Sequence, residues 1–128
     1  MVFAATDWPK DGQPDQQLYL CPLDGSLPPR QILHDDVSGR IGNTNPEWGP
    51  DGKRIMYSSD VNQPRKAHDV WVTVLGDPHP PYLLVSTGAR ATWSPDGTKV
   101  AFDRWTAKDS GVIFTLELGG KRLPVVKP

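Results

Sequence analysis

Two boxes, NPEWGPDGK at 45–53 and RATWSPDGT at 90–98, set an aspartate three residues beyond a tryptophan: Trp48 with Asp51, and Trp93 with Asp96. A carboxylate recurring beside an aromatic ring invites an acid–base role. The turn these residues spell accounts for them more simply. Pro followed by Asp and Gly is what a tight turn demands, and a tryptophan closing the preceding strand can plug a seam between packed sheets. Asp51 and Asp96 are therefore read as structural. Three histidines stand beside acids or prolines: His34 before Asp35 and Asp36, His68 before Asp69, and His79 within DPHPP. No two of them have the i, i+4 or x-His-x-His spacing that presents two imidazoles to one ion, so no metal site is expected. Cys21, the only cysteine, sits in an expected strand with no basic neighbour in sequence, and there is no G-x-S-x-G elbow. Nor is there a glycine-rich phosphate loop, so no catalytic residue and no cofactor site is expected, and the chain is read as a non-enzyme.

The charge balance agrees. Fourteen Lys and Arg against 15 Asp and Glu leave a net charge of -1, without the basic surplus that nucleic-acid binding draws on. No run of eighteen apolar residues occurs, so no membrane insertion is expected, and the opening MVFAATDWPKDG lacks the basic and long apolar regions of a signal peptide. With 37% apolar residues in 128 the chain can fill a thin core. Prolines recur throughout, 14 in all, and no stretch repeats apolar groups at helical spacing. An all-β fold follows.

The boxes belong to a longer repeat. At an offset of 45, Trp48 falls on Trp93, Ile55 on Val100 and Tyr57 on Phe102, and a slightly shorter offset carries Trp71 onto Phe114 and Leu75 onto Leu118. A front copy without the box gives Phe3, Tyr19 and Leu23 the places of Tyr57, Trp71 and Leu75. Each full copy spells four strands, A to D. The A strands end at Trp48 and Trp93, and the G-P-D-G or S-P-D-G that follows makes an A–B hairpin with Gly in the left-handed position. B strands are expected at 54–59 and 99–103, C strands at 69–75 and 112–118, and D strands at 82–86 and 122–126. In the front copy B, C and D lie near 2–5, 17–22 and 30–34. Four antiparallel strands recurring at this period point to a partial β-propeller. Its blades are the incomplete 1–42, lacking the innermost strand, and the full 43–87 and 88–128, all within one segment, 1–128. Propellers close with four to eight blades, so the chain is expected to be part of a larger one.

The motif W-S-P-D-G, followed by an apolar-aromatic strand and a second strand closing on a small acidic turn, resembles the repeats of the TolB-type propellers, relatives of the WD-repeat proteins. The resemblance covers nearly the whole chain. It departs from the family pattern in the front copy, which has no W-x-P-D-G, and at Gly49, where the family usually carries Ser. It implies a non-catalytic scaffold for a protein or peptide partner in a periplasmic or other extracytoplasmic setting. Two other readings stay open: part of the gating propeller of a prolyl-oligopeptidase-type serine peptidase, and a sensor domain of a regulatory protein.

In such blades the B–C and D–A connections leave one face and the A–B and C–D connections the other. The first set is long, near 6–16, 60–68, 104–111 and 35–43. It gathers Trp8, Lys10, Asp11, Arg65, Lys66, Arg104, Trp105 and Lys108. Tryptophan with arginine is the composition of interface hot spots, and binding residues favour loops on rigid scaffolds. Trp8, Arg65, Lys66, Arg104 and Trp105 are therefore the candidate partner-binding residues. The plainer alternative is that Trp8 and Trp105 only cover a blade edge. Self-association is also expected, through the strand at 2–5 and the two outer blade surfaces.

Overall fold

The computed structural model describes residues 1–7, 15–33, 42–61, 68–105 and 111–119. Ten strands form three antiparallel sheets. The first holds β1 (Val2–Asp7), β2 (Asp15–Leu20) and β3 (Arg30–Gln31). The second holds β4 (Asn43–Trp48), β5 (Arg54–Ser59), β6 (Asp69–Val74) and β7 (Tyr82–Val85), and the third β8 (Ala89–Trp93), β9 (Lys99–Trp105) and β10 (Gly111–Glu117). Within each sheet the strands lie side by side in chain order. The D strand expected at 122–126 lies outside the described residues. None of the described residues is helical, so no helix among them is long and apolar enough to cross a membrane.

The turns follow from their residues. Gly52 N–H donates to Gly49 C=O at 2.9 Å and Gly97 N–H to Ser94 C=O at 2.8 Å, closing the two A–B hairpins over Pro-Asp. Both closing glycines have positive φ, 66° and 71°, a region costly for residues with a Cβ. Asp51 accepts the N–H groups of Lys53 and Arg54 at 3.0 and 3.1 Å and pairs with the Arg54 guanidinium at 2.5 Å. Asp96 accepts the Ser94 and Thr98 hydroxyls at 2.6 and 2.8 Å and the Thr98 N–H at 3.0 Å. Both carboxylates are thus occupied inside their own turns.

The repeat becomes a register. Phe3 stands opposite Tyr19, Tyr57 opposite Trp71, and Phe102 opposite Phe114, so each sheet carries one aromatic pair at the same B–C rung. Side chains alternate across the sheet, which sends neighbours in β5 and β6 to opposite faces. Tyr57 and Trp71 turn toward the first sheet and pack with Leu18, Leu33 and Ile32. Met56, Val70 and Val72 turn toward the third and pack with Ala91, Trp93, Val100 and Phe102. At Gly88 the approach is so close that a Cβ would stand 2.9 Å from Phe102 and 3.1 Å from Val85.

Trp48 and Trp93 hold equivalent registers, opposite Ile55 and Val100. Their surroundings differ. Trp93 is buried in the seam between the second and third sheets, with the Arg54 guanidinium 4.8 Å from its ring, whereas Trp48 faces the three-stranded first sheet and stays half-buried. Polar bonds key the seam. Glu47 of β4 accepts the Trp93 N–H at 3.1 Å and the Thr92 hydroxyl at 3.0 Å, supplying an acceptor to the edge of β8 away from β9. Sequence pattern gave no sign of this bond.

Two outcomes are expected. Glu47→Ala leaves the Trp93 N–H without its acceptor and lowers stability by about 1–2 kcal/mol in urea titrations, with Glu47→Gln closer to wild type. The bonds from Ser94 and Thr98 hold the Asp96 carboxyl down from 3.8 to about 2. A depressed folded-state value means that this contribution is complete above the unfolded value and is lost as pH falls through the folded one. Thermal melts of wild type and Asp96→Asn should therefore differ most above pH 5 and converge toward pH 2.

Candidate functional site

The three B–C connections start and end at one rim of the sheets. The pairs Asp7–Asp15, Ser59–Asp69 and Trp105–Gly111 close the three B–C hairpins there. The D–A turn at 86–88 is tied to the same rim, since Thr87 N–H donates to Asp69 at 2.7 Å. At the opposite rim the A–B turns are short and the C–D connections span 21–29 and 75–81; Leu75 N–H donates to Lys53 C=O and Leu118 N–H to Thr98 C=O, both beside the A–B turns.

The described part of the B–C rim is braced by polar bonds across the sheets. Asp60 accepts the Gly42 N–H at 2.6 Å, and the Asn43 amide reaches Gln17 at 3.2 Å across the first seam. Ser58 accepts the Arg90 N–H at 3.1 Å across the second. Arg90 pairs through its guanidinium with Asp103. Buried Asp69 and Asn43 show that these are internal supports. The rim also holds the backbone in uncommon shapes. Asn45 and Arg90 have φ of 52° and 47°, each inside a bulge that shifts the A–B register, at 44–47 and 89–92. The two positions are repeat equivalents, and Thr87 in the D–A turn has φ of 55°. Left-handed residues with a Cβ persist where surrounding bonds over-determine them, as the Ser58–Arg90 and Asp69–Thr87 bonds do here.

Of the five candidate residues, Trp8, Arg65 and Lys66 lie outside the described residues. Arg104 and Trp105 correct the expectation. They belong to β9, not to a loop, because the B–C hairpin continues two rungs further, with Arg104 opposite Val112 and Trp105 opposite Gly111. The first hairpin is longer in the same way, β1 reaching Asp7. Extra antiparallel rungs satisfy backbone groups that a loop would leave to water. Arg104 is also committed internally. Its guanidinium donates to the carbonyls of Thr87 and Ser86, both at 2.9 Å, and lies 5.6 and 5.4 Å from the Phe102 and Phe114 rings. It clamps the D–A turn to the B–C rung.

Sequence reading missed Arg90, Asp103 and Asp69. The only available signal was positional: Asn45 and Arg90 precede their boxes equally, and Asn is among the residues that favour a left-handed backbone, while Arg is not. Among the described residues no group of three or more His, Cys, Asp or Glu could hold a metal ion. His79 pairs with Asp77 at 2.5 Å in an exposed C–D turn at the far rim.

No protein-family model matches the chain. Among curated proteins it is similar to the uncharacterized peptidase YuxL of Bacillus subtilis strain 168, 29% identical over 94 residues, which is 70% of this chain and 14% of that protein. Among solved structures it is similar to a protein assigned as TolB from Agrobacterium tumefaciens, with a TM-score of 0.64 and 20% identity. That match covers 94% of this chain and 40% of the other, so the chain spans well under half of each protein. At this identity the likeness speaks for the fold. The three sheets are part of a TolB-like β-propeller.

The clamp can be tested. Arg104→Ala should lower stability by about 1–2 kcal/mol and speed amide exchange at Thr87 and Gly88, from loss of the two carbonyl bonds and the ring contacts. Arg104→Lys, which keeps the charge but not the fork, should fall between.

Proposed function

We propose that this part of a TolB-like β-propeller is a non-catalytic binding module whose long-connection rim takes a protein or peptide partner. One observation carries the reading: the three B–C connections depart from one rim, which is braced by polar bonds across the sheets and by left-handed backbone, while the A–B turns at the other rim are tight tetrads. A rigid rim under long segments is the arrangement by which a scaffold presents binding residues. Trp8, Arg65, Lys66 and Trp105 belong to or border these connections; the tryptophans and Arg65 supply the aromatic and guanidinium groups that anchor interfaces, and Lys66 adds a cation beside them. Arg104 supports the rim in this reading and is not an anchor. The reading places the protein outside the cytoplasm, following the habit of TolB-type propellers. The 128 residues contain no G-x-S-x-G box, so a hydrolytic role would need residues beyond them.

A second reading has its own support. The similarity to the peptidase YuxL favours a propeller that accompanies a hydrolase domain. A reading frame continuing into a domain with a G-x-S-x-G box decides for it.

Peptide-display selection against the purified chain tests the first reading. Trp105→Ala and Arg65→Ala are each expected to weaken a selected peptide by more than about 1 kcal/mol, measured by titration, and His79→Ala at the opposite rim to leave binding unchanged. Binding that is lost with His79→Ala but kept in the other two refutes the choice of rim. Hydrolysis of ester or peptide substrates by the chain, abolished by one substitution within it, refutes the non-catalytic role.

A further inference from the structure

Arg90 stands where the backbone prefers another residue. Asn45 and Arg90 hold the same place in the repeat, and each sits in the bulge that opens the first strand of its sheet, with φ of 52° and 47°. Asparagine adopts that backbone more readily than arginine. At Arg90 the shape is held from outside, by the bond from its N–H to Ser58 at 3.1 Å. What the arginine contributes therefore lies in its side chain.

That side chain is anchored at one point and open elsewhere. Nη2 pairs with Oδ2 of Asp103, whose own side chain is 12% exposed, while 61% of the Arg90 side chain faces solvent. The remaining guanidinium N–H groups have no partner among the described residues. Arg54 and Arg104 are used differently. Arg54 lies between Asp51 and the Trp93 ring, and Arg104 gives its guanidinium to the Thr87 and Ser86 carbonyls over two phenylalanine rings. The exposure of Arg90 belongs to its position. Asn45 is exposed as well, in the sheet that has a neighbour packed on each face, so this place in the repeat opens to solvent even between two packed sheets.

We propose that Arg90 binds a carboxylate of the partner, at the rim assigned above to a protein or peptide, and the proposal rests on that reading. The place agrees with it. Arg90 follows the D–A turn at 86–88, and Asp103 lies two residues before Trp105, which closes the third B–C hairpin. Arg104 is bonded to the same turn, so two guanidinium groups stand there with the one carboxylate of Asp103. A guanidinium is the side chain best matched to a carboxylate, because its planar N–H groups can meet both oxygens at once. Asp103 holds the Arg90 side chain in advance, which lowers the ordering cost of binding. A peptide C-terminus and an Asp or Glu side chain both carry the required group, and the test separates them.

The full chain is titrated with three small probes while the arginine Nε–H resonances are followed by NMR, that of Arg90 being assigned by its loss in Arg90→Lys. N-acetylglutamine carries its one carboxylate at the C-terminus, N-acetylglutamic acid α-amide carries it in the side chain, and N-acetylglutamine amide carries none. The Arg90 resonance is expected to move saturably with at least one of the two acids and to stay in place with the neutral probe, while the Arg104 resonance stays in place throughout. The acid that moves it identifies the source of the group. With peptides selected by display, Arg90→Gln should weaken binding about tenfold or more, and converting the peptide's carboxylate to the amide should weaken wild type by a similar factor and Arg90→Gln hardly at all. An Arg90 resonance indifferent to both acids overturns the proposal. So does a selected peptide whose acid and amide forms bind wild type and Arg90→Gln in the same ratio. A chain that selects no peptide while Arg90 answers the acids refutes the reading of the rim and upholds the carboxylate site.

Discussion

Everything in this molecule depends on the second sheet being buried on both faces. Ile55 to Ser59 are all buried, and alternation sends Met56 and Ser58 one way and Tyr57 the other, so β5 is stable only with a sheet on each side. Each covered aliphatic or aromatic side chain gains about 1.5–3 kcal/mol over its exposed state. That gain stacks the sheets. Apolar packing alone is tolerant of small slips, and the seam bonds are not. Glu47 finds the Trp93 N–H, Ser58 the Arg90 N–H and Asp69 the Thr87 N–H in one register only.

The same bonds explain why the two rims differ. At the A–B rim, Pro-Asp-Gly turns satisfy themselves locally, and the next sheet is reached through Glu47 bonding to Thr92 and Trp93 and through the Arg54–Trp93 stacking. At the other rim, supports come from the neighbouring sheet or from the far end of a hairpin, and the backbone of Asn45, Thr87 and Arg90 is held left-handed. A rim built this way is stiff where the long connections attach. Stiffness there limits the ordering cost that a partner must offset on binding.

Much of the fold was legible in the residues. The B strand at 54–59 and the turns at Gly52 and Gly97 needed only β-rich runs and turn chemistry, because both are decided by neighbours in the chain. The hairpin lengths were not legible. Arg104 and Trp105 look like loop residues beside Thr-Ala-Lys-Asp-Ser, yet rungs opposite Val112 and Gly111 absorb them into β9, and Phe102 with Phe114 gives Arg104 a surface to lie on. The bulges were invisible as well, since nothing about arginine suggests a left-handed backbone at position 90.

What the sequence by itself determined is the repeat: the 45-residue spacing, the aromatic rung in each copy, the strand alternation and the self-satisfied aspartates of the two boxes. These are properties of short segments, settled by side-chain type and local backbone preference. Only the tertiary structure decided which partner each polar group found. Glu47 and Thr92 are equivalent positions in the repeat and nonetheless bond to each other, Ser58 and Asp103 are equivalent and are differently satisfied, and Trp93 is buried where Trp48 is half-covered. Equivalent residues diverge because what a side chain contributes depends on the sheet packed against it, and that neighbour is brought in from tens of residues away.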